Sequence, residues 1–563
     1  MEPAEVHEPE SDGGDGIEET VYSGKSSYLY SSKLDCSSNL AEICKILVRS
    51  DAFSFALDNR GTIFFKDQGR IKAKDLNIKS DIQGMGMTVD GHKAFMHANG
   101  QDSVRYSFMQ ALSLLLSERK LFNGMFGFPS ESVRIYLRPI AIQAEAVEGY
   151  DLFIPHLKIS SDGFISVTLD AVFGFEELTS DKVVFGEVNK SLANLNSVLC
   201  VKSLHAALTE CQISQLSFGE RKAQKKEFRS MIDSSLNSPC SMDFLDENLT
   251  LYELVHTDQF TLTDLARHIL SVVARSIFSG SVKSKVNWFH VRKFDPPVCR
   301  YWYGKPLIGV LTHTDQKEAA EENWSAHEGF VNSVMIRADL SGGSFGQPTQ
   351  LSDLRCFDDF NSFYSEPVSL ILSSLKVSRF IDESESYTFD NLTSDIQILN
   401  EVAHMMLIFY AYASSALDGC KKSTEVTRVE LQVLRFEESL YSLYKYGEVA
   451  GYIEEIQQGA HLSMLNKMFH KKVETVKKSL ELDEKMASES FTRRITIIFG
   501  VIASAALSPE LVQPVAKLAG ISFDDQWTKI LGLIAAMTAV AGLLVITHFG
   551  FKAAEWLLRL IRK

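Results

Sequence analysis

The run Ile530 to Phe549 (ILGLIAAMTAVAGLLVITHF) constrains this 563-residue chain most, because His548 is the only ionisable side chain in it. A helix of that length rises about 30 Å, the thickness of a bilayer's hydrocarbon core. A membrane span is predicted there. A shorter apolar run, Ile495 to Leu507 (ITIIFGVIASAAL), precedes it, with Arg493 and Arg494 immediately before. Lys552, Arg559, Arg562 and Lys563 follow the second run, and Glu510, Lys517, Asp524 and Asp525 lie between the two. Basic residues favour the cytoplasmic side of a bilayer, so both termini are predicted inside, flanking a two-helix hairpin. Everything before the hairpin is then a cytoplasmic body.

Composition limits that body. A mean hydropathy of −0.03 excludes a polytopic transporter with most of its mass in lipid. A net charge of −15 argues against a nucleic-acid-binding protein, since phosphate neutralisation needs clustered Lys and Arg. The one basic cluster away from the hairpin, Arg221 to Lys226 (RKAQKK), reads as a solvated face. Eight cysteines without a CxxC pair read as reduced thiols. The first 20 residues hold eight acids and no Lys or Arg, which predicts a solvated tail over 1–26 and no export signal.

From 27 to 390 strand-like and helix-like segments alternate. Ala52 to Leu57 and Thr62 to Lys66 flank Asp58-Asn59-Arg60-Gly61, a hairpin signal, and Leu157 to Leu169 repeats the pattern about Asp162-Gly163. Further strands are predicted at Ser132 to Ala146, Leu152 to Ile159, Val286 to Phe294, Pro306 to Thr312 and Phe330 to Ala338, and helices at Ser103 to Leu121, Ser191 to Cys211 and Leu262 to Phe278. The polar stretch 218–239 is a candidate boundary between two lobes. The fold class expected is an α/β body with antiparallel hairpins, a long helical stalk over 391–494 and the hairpin over 495–563.

No proline occurs between Pro367 and Pro509, so long helices are possible: Ser394 to Ala416, Val426 to Tyr446 and Ala460 onward, with turns at Asp418-Gly419 and within Gly447 to Gly459. Leu462, Leu465, Phe469, Val473, Val476 and Leu480 recur at steps of three and four. Such a stripe needs a partner, either the preceding helices or another copy of the stalk.

This layout, together with Ile495 to Ile498 (ITII), Pro509, Pro514 and Leu518-Ala519-Gly520-Ile521, resembles the CorA-like divalent-cation transporters. The resemblance covers roughly 460–563 and implies a first membrane helix from about Ile495 to Ile521, a pentamer, and a divalent cation as transported or regulatory ion. The family's Gly-Met-Asn signature does not follow Gly520-Ile521; the chain reads Ser522-Phe523-Asp524-Asp525 instead. Magnesium selectivity is therefore not carried over. Independently of the family, Gly500, Ala503, Ser504, Ala505 and Ala506 give the first span a small-residue surface suited to close helix association. Rings of Asp524 and Asp525 at the outer mouth, with Glu510 beside the path, would concentrate cations.

Catalytic motifs are missing from the sequence. Gly24-Lys25-Ser26 lacks the glycine a phosphate-binding loop needs, Ser341 to Gly346 (SGGSFG) reads as a plain loop, and there is no HExxH or G-x-S-x-G. His313 and His327 flank the acidic stretch 315–322, a weak candidate for a divalent ion. No cofactor is required by any motif. The leading expectation is an oligomeric inner-membrane cation channel or transporter gated by its cytoplasmic body. Two alternatives are a membrane-permeabilising effector of an antiviral defence or toxin system and an anchored binding or scaffold protein. Lipid, other copies of the chain and a cytoplasmic trigger of unknown kind are the partners expected.

Overall fold

The structure, a computed structural model, describes residues 20–538 except 35–38, 81–86, 123–129, 146–148, 216–217, 257–258, 283–299, 339–352, 354–359, 366, 385–387, 444–446, 460–461, 519, 521–525, 528–529, 532–533 and 535–537. Two compact units result: 1–416 with 430–470, and 417–429 with 471–563.

The first unit opens with β1 (Val21–Lys33), α1 (Leu40–Val48) and the strands β2 (Phe53–Asp58), β3 (Thr62–Asp67) and β4 (Arg70–Asp75). A small hairpin, β5 (Asn77–Ser80) and β6 (Met87–Asp90), leads to α2 (Lys93–Ala98) and α3 (Asp102–Leu121). Then come β7 (Ser132–Leu137), β8 (Ile140–Ala144), β9 (Asp151–Ser160), β10 (Phe164–Ala171), β11 (Phe175–Thr179), the single turn α4 (Ser180–Lys182) and β12 (Leu195–Cys200). Helices α5 (Lys202–Gln215) and α6 (Phe218–Asn237) precede β13 (Cys240–Phe244), β14 (Glu247–Glu253) and α7 (Leu262–Ser279). The body closes with β15 (Arg300–His313), α8 (Ala320–Ala326), α9 (Glu328–Ile336), β16 (Phe360–Tyr364), β17 (Ser369–Ser373) and α10 (Leu375–Glu383).

One large sheet runs β13-β14-β12-β8-β9-β10-β1-β15-β17-β16, with β7, β2, β3 and β4 branching from β9 and β11 from β1. Neighbours are antiparallel except β15 and β17. Both predicted hairpins form, and Gly163 takes the positive φ of 80° that its tight turn demands. One sheet face packs on α1, α5 and α7 through Leu47, Leu208, Ile269 and Val273 against Tyr28, Leu157 and Val167. The opposite face packs on α2 and α3 through Phe95, Phe108 and Leu112 against Phe55, Tyr136 and Ile154. Helix α7 starts where the sequence places it because Thr261 and Asp264 form a capping box, and it ends at the left-handed Gly280.

Several expectations are corrected. Phe330 to Ala338 is a helix, α9, whose Phe330, Val331, Val334 and Met335 are buried at helical spacing. Ser191 to Cys211 is not one helix: Leu195–Cys200 pairs with β8 and β14 as a strand. Ser132 to Ala146 splits at Arg138-Pro139 into two strands that share one edge of β9, because proline lacks the donor a continuous strand requires. Residues 21–26, assigned to the tail, belong to β1. The polar stretch 218–239 folds largely as α6. Val286 to Phe294 and residues 1–19 lie outside the described residues.

The long helices form as read: α11 (Phe389–Asp418), α12 (Ser423–Leu443) and α14 (Leu462–Leu518), but Gly447–Gly459, expected to turn, is the helix α13. Val449, Tyr452, Ile453 and Ile456 are buried at helical spacing and hold it against that tendency. In the first unit Asn466 of α14 donates to Tyr410 and Glu437, 3.3 and 3.2 Å away, and Phe409 stacks on Phe436 at 3.9 Å. In the second unit Lys472 pairs with Asp418 at 2.9 Å, and Val426 and Val473 are buried. Further along α14, Leu482, Met486, Phe491, Ile498 and Phe499 are exposed. Helix α14 continues through Pro509 and Pro514 and ends at Leu518, short of the Ile521 that the resemblance implies, with Gly520 at φ 73°. Among the described residues no helix is long and apolar enough to cross a membrane. The run 539–549 lies outside them.

Gly24 exposes how closely β1 and β15 approach: a Cβ there would lie 2.1 Å from the Gly309 carbonyl oxygen and 2.8 Å from the Phe175 ring. Gly24→Ala is expected to destabilise the body by about 1–3 kcal/mol through overpacking against backbone. Urea unfolding of the variant, with an unchanged slope and a lower midpoint, checks this.

Candidate functional site: a buried charge network and the cleft beside it

Strand pairing sets Arg134 of β7 directly opposite Lys158 of β9, and Tyr136 opposite His156. Pairing of β9 with β10 adds Ser166 and Thr168, and β1 brings Ser27 opposite Asp170. These residues form a polar face that is buried except at Ser27, which is half-buried. Two like charges opposite one another in a sheet repel and lose hydration, so the arrangement requires anions at contact distance.

Glu118 of α3 and Glu401 of α11 supply them. Arg134 makes a bidentate pair with Glu401, Nη1 to Oε1 at 2.8 Å and Nη2 to Oε2 at 2.7 Å, and also reaches Glu118 at 2.5 Å. Lys158 Nζ donates to Glu118 at 2.7 Å and Glu401 at 3.0 Å. Two cations thus face two anions. Burial would raise the Glu401 carboxyl, but Arg134 and Lys158 outweigh it and hold the group well below the usual carboxylate range. Burial pulls the Lys158 ammonium below its ordinary value despite both glutamates. One turn further along α11, His404 meets the Ser31 hydroxyl at 3.0 Å, and burial with the Lys305 charge pushes it down to about 3.

Gln397, the turn of α11 before Glu401, joins this network to a second one. Its amide donates to Glu401 at 3.2 Å and Thr168 at 3.3 Å, and lies 3.3 Å from His156 Nε2. His156 Nε2 in turn lies 2.8 Å from Asp170 Oδ2, which also accepts from Gln110 Nε2 at 2.6 Å. Burial would raise the Asp170 carboxyl; His156, Ser27 and Lys25 together bring it below its ordinary value.

Asp170, Gln110 and Gln397 also line a cleft of about 520 Å³ between α3, the sheet and the start of α11. Lys25 lines it too, 2.8 Å from Asp390 and 3.2 Å from the Tyr106 hydroxyl. Burial alone would lower the Lys25 ammonium, yet Asp390, Tyr106 and Asp170 raise it above its ordinary value. Leu112, Leu116, Leu307, Ile308, Ile371 and Ile396 give apolar walls. Gly309 lets α11 seat on β15, since a Cβ would meet the Phe389 ring at 2.8 Å. The size and the mixture of apolar wall and few polar groups suit a small ligand.

The residues singled out in the sequence lie elsewhere. Arg493, Arg494 and Gly500 are exposed on α14, and Ser504 and Glu510 are helical there. Asp524, Asp525, Lys552, Arg559, Arg562, Lys563 and the glycine-rich 341–346 lie outside the described residues. His313 and His327 do come together, with ring centroids 4.1 Å apart, yet His327 uses both nitrogens, on the Tyr22 hydroxyl at 3.3 Å and the Asp315 carbonyl at 2.9 Å. Burial, with His327 beside it, pushes His313 down to about 3. Among the described residues no group of three His, Cys, Asp or Glu is placed to hold a metal ion. The network itself escaped sequence reading. Its signal was Ser394, Gln397, Glu401 and His404, polar residues at helical spacing along one side of α11 and all buried.

Comparison with protein-family models, curated proteins and solved structures gives no match.

Truncating Glu401 to Ala leaves Arg134 and Lys158 sharing Glu118, and is expected to cost about 3–5 kcal/mol, measurable as a fall in the denaturation midpoint. The lowered histidines set a pH dependence. The folded state keeps His404 and His313 neutral below 6.5, where the unfolded chain protonates them, so stability present above 6.5 is lost as pH falls toward 3. Each contributes a slope of at most about 1.4 kcal/mol per pH unit. Denaturation midpoints between pH 6.5 and 4.5 should fall steadily in the parent chain and less steeply in His404→Gln.

Proposed function

We propose that the chain is a multi-pass inner-membrane protein whose carboxyl-terminal hairpin, 495–563, assembles from several copies into a cation path gated by the cytoplasmic body. The observation that carries this reading is the continuity of α14. The helix begins at Leu462, buried in the first unit, passes the exposed Arg493 and Arg494, and runs unbroken through Ile495 to Leu507. Ile498 and Phe499 are 56 % and 66 % exposed, and water disfavours such side chains by roughly 25 cal/mol per Å² of apolar surface. Lipid or a neighbouring copy relieves that cost. The predominantly apolar run of twenty residues from Ile530 supplies the second span. One hairpin cannot enclose water, so conduction requires assembly, and the resemblance implies five copies. Asp524 and Asp525 form the outer mouth, with Glu510, Gly500 and Ser504 along the first helix.

Coupling to the body has a covalent route. Helix α11 starts beside the cleft and its last residues, Leu417 and Asp418, belong to the second unit with most of α14. A change that repacks α11 on the sheet is thereby delivered to the stalk.

The test is ion flux from liposomes containing the purified full-length chain. Flux of monovalent or divalent cations, reduced at least tenfold by Asp524→Asn with Asp525→Asn while the detergent-solubilised mass stays multimeric, is the expected result. A monomer, or an oligomer with unaltered flux in the double variant, overturns it; a membrane-bound monomer without flux would leave the hairpin a plain anchor.

A further inference from the structure

We propose that the cleft between α3, the sheet and the start of α11 is a receptor site for a small organic cation, an amine or amidine on an apolar body. Charge selects the class. The lining holds one ammonium, Lys25, and two carboxylates, Asp170 and Asp390. Lys25 is already engaged by Asp390 at 2.8 Å, and the buried Asp170, met by His156 at 2.8 Å and Gln110 at 2.6 Å, gives the lining one carboxylate more than its single ammonium. An anionic ligand would face two carboxylates with one occupied cation to receive it.

The polar inventory of the floor agrees with the charge. Gln110 donates its amide nitrogen to Asp170 at 2.6 Å, an orientation the carboxylate dictates, and its Oε1 is buried with no hydrogen-bond partner among the described residues. Buried polar atoms are normally satisfied, so an orphaned acceptor beside a cleft calls for a donor. Asp390, with its side chain 55 % exposed, offers the mouth a second acceptor. The apolar body then lies on Leu112, Ile308 and Ile396, and the cleft's 520 Å³ is within the range of small-ligand sites. Lys25 occupies part of this site as a tethered amine, holding the carboxylates that a ligand would use.

That last feature makes the test directional. Isothermal titration of the full-length protein in detergent with phenethylamine and benzamidine, and with phenylpropionate as the carboxylate counterpart, should give saturable binding of the amines alone. Asp390→Asn is expected to weaken amine binding at least fivefold and to shift preference toward the carboxylate. Lys25→Met should strengthen amine binding at least threefold, an opposite sign that general damage to the cleft cannot produce. Gln110→Leu should weaken it, and Asp51→Asn, a carboxylate outside the cleft, should leave it unchanged. Asp390 is surface-accessible, so its variant remains informative where Gln110→Leu fails to fold. Binding of phenylpropionate equal to that of the amines, absence of saturable amine binding, or weakening by Lys25→Met overturns the proposal. Binding is read without ion flux, so this result and the conduction result stand or fall separately.

Discussion

The architecture turns on a repulsion that has to be cancelled. Antiparallel register places Arg134 against Lys158 on a sheet face that is closed to water. No hydrophobic helix could cover such a face, because burying an uncompensated charge costs more than apolar contact returns. Glu118 and Glu401 make the cover possible, and they come from helices nearly 300 positions apart in sequence. The long helix α11 is thus docked by charge where α1, α5 and α7, on the other face, are docked by apolar contact. Its partners in register along β9, β10 and β1 fix where each polar side chain of the helix must fall.

A helix held in this way differs from one held by grease. Hydrophobic contact tolerates sliding, whereas a bidentate Arg134–Glu401 pair and the Gln397 amide demand one register and one rotation. Of these side chains Gln397 also borders the cleft, so the contacts that seat α11 reach its wall. Gly309 and Gly24 serve the same geometry from below, allowing backbone and ring to approach where any larger residue would hold them apart.

Much of the backbone plan was legible in the sequence. Hairpins about Gly61 and Gly163, the capped helix at Thr261 and the proline-free helices after Pro367 follow from local chemistry acting over a few residues. Failures occurred where distant partners decide. Leu195–Cys200 reads as part of a helix until β8 and β14 are there to pair with it, and Gly447–Gly459 reads as a turn until its apolar side is buried. The network was hidden for a related reason. His156 and Lys158 alternate with apolar neighbours, the usual mark of a strand with one wet face, and nothing local reveals that Glu401 will cover that face. The run Ile530 to Phe549 is a different case: it is read from composition alone, and 539–549 lie outside the described residues.

The four-charge cluster also shapes how this sequence can drift over time. Losing any one of Arg134, Lys158, Glu118 or Glu401 strands an opposite charge in a dry interior, while replacing matched members together by apolar residues of similar volume restores neutrality. Divergent copies of this chain should therefore change those positions in concert, and a lone exchange at one of them would be purged before a second could rescue it.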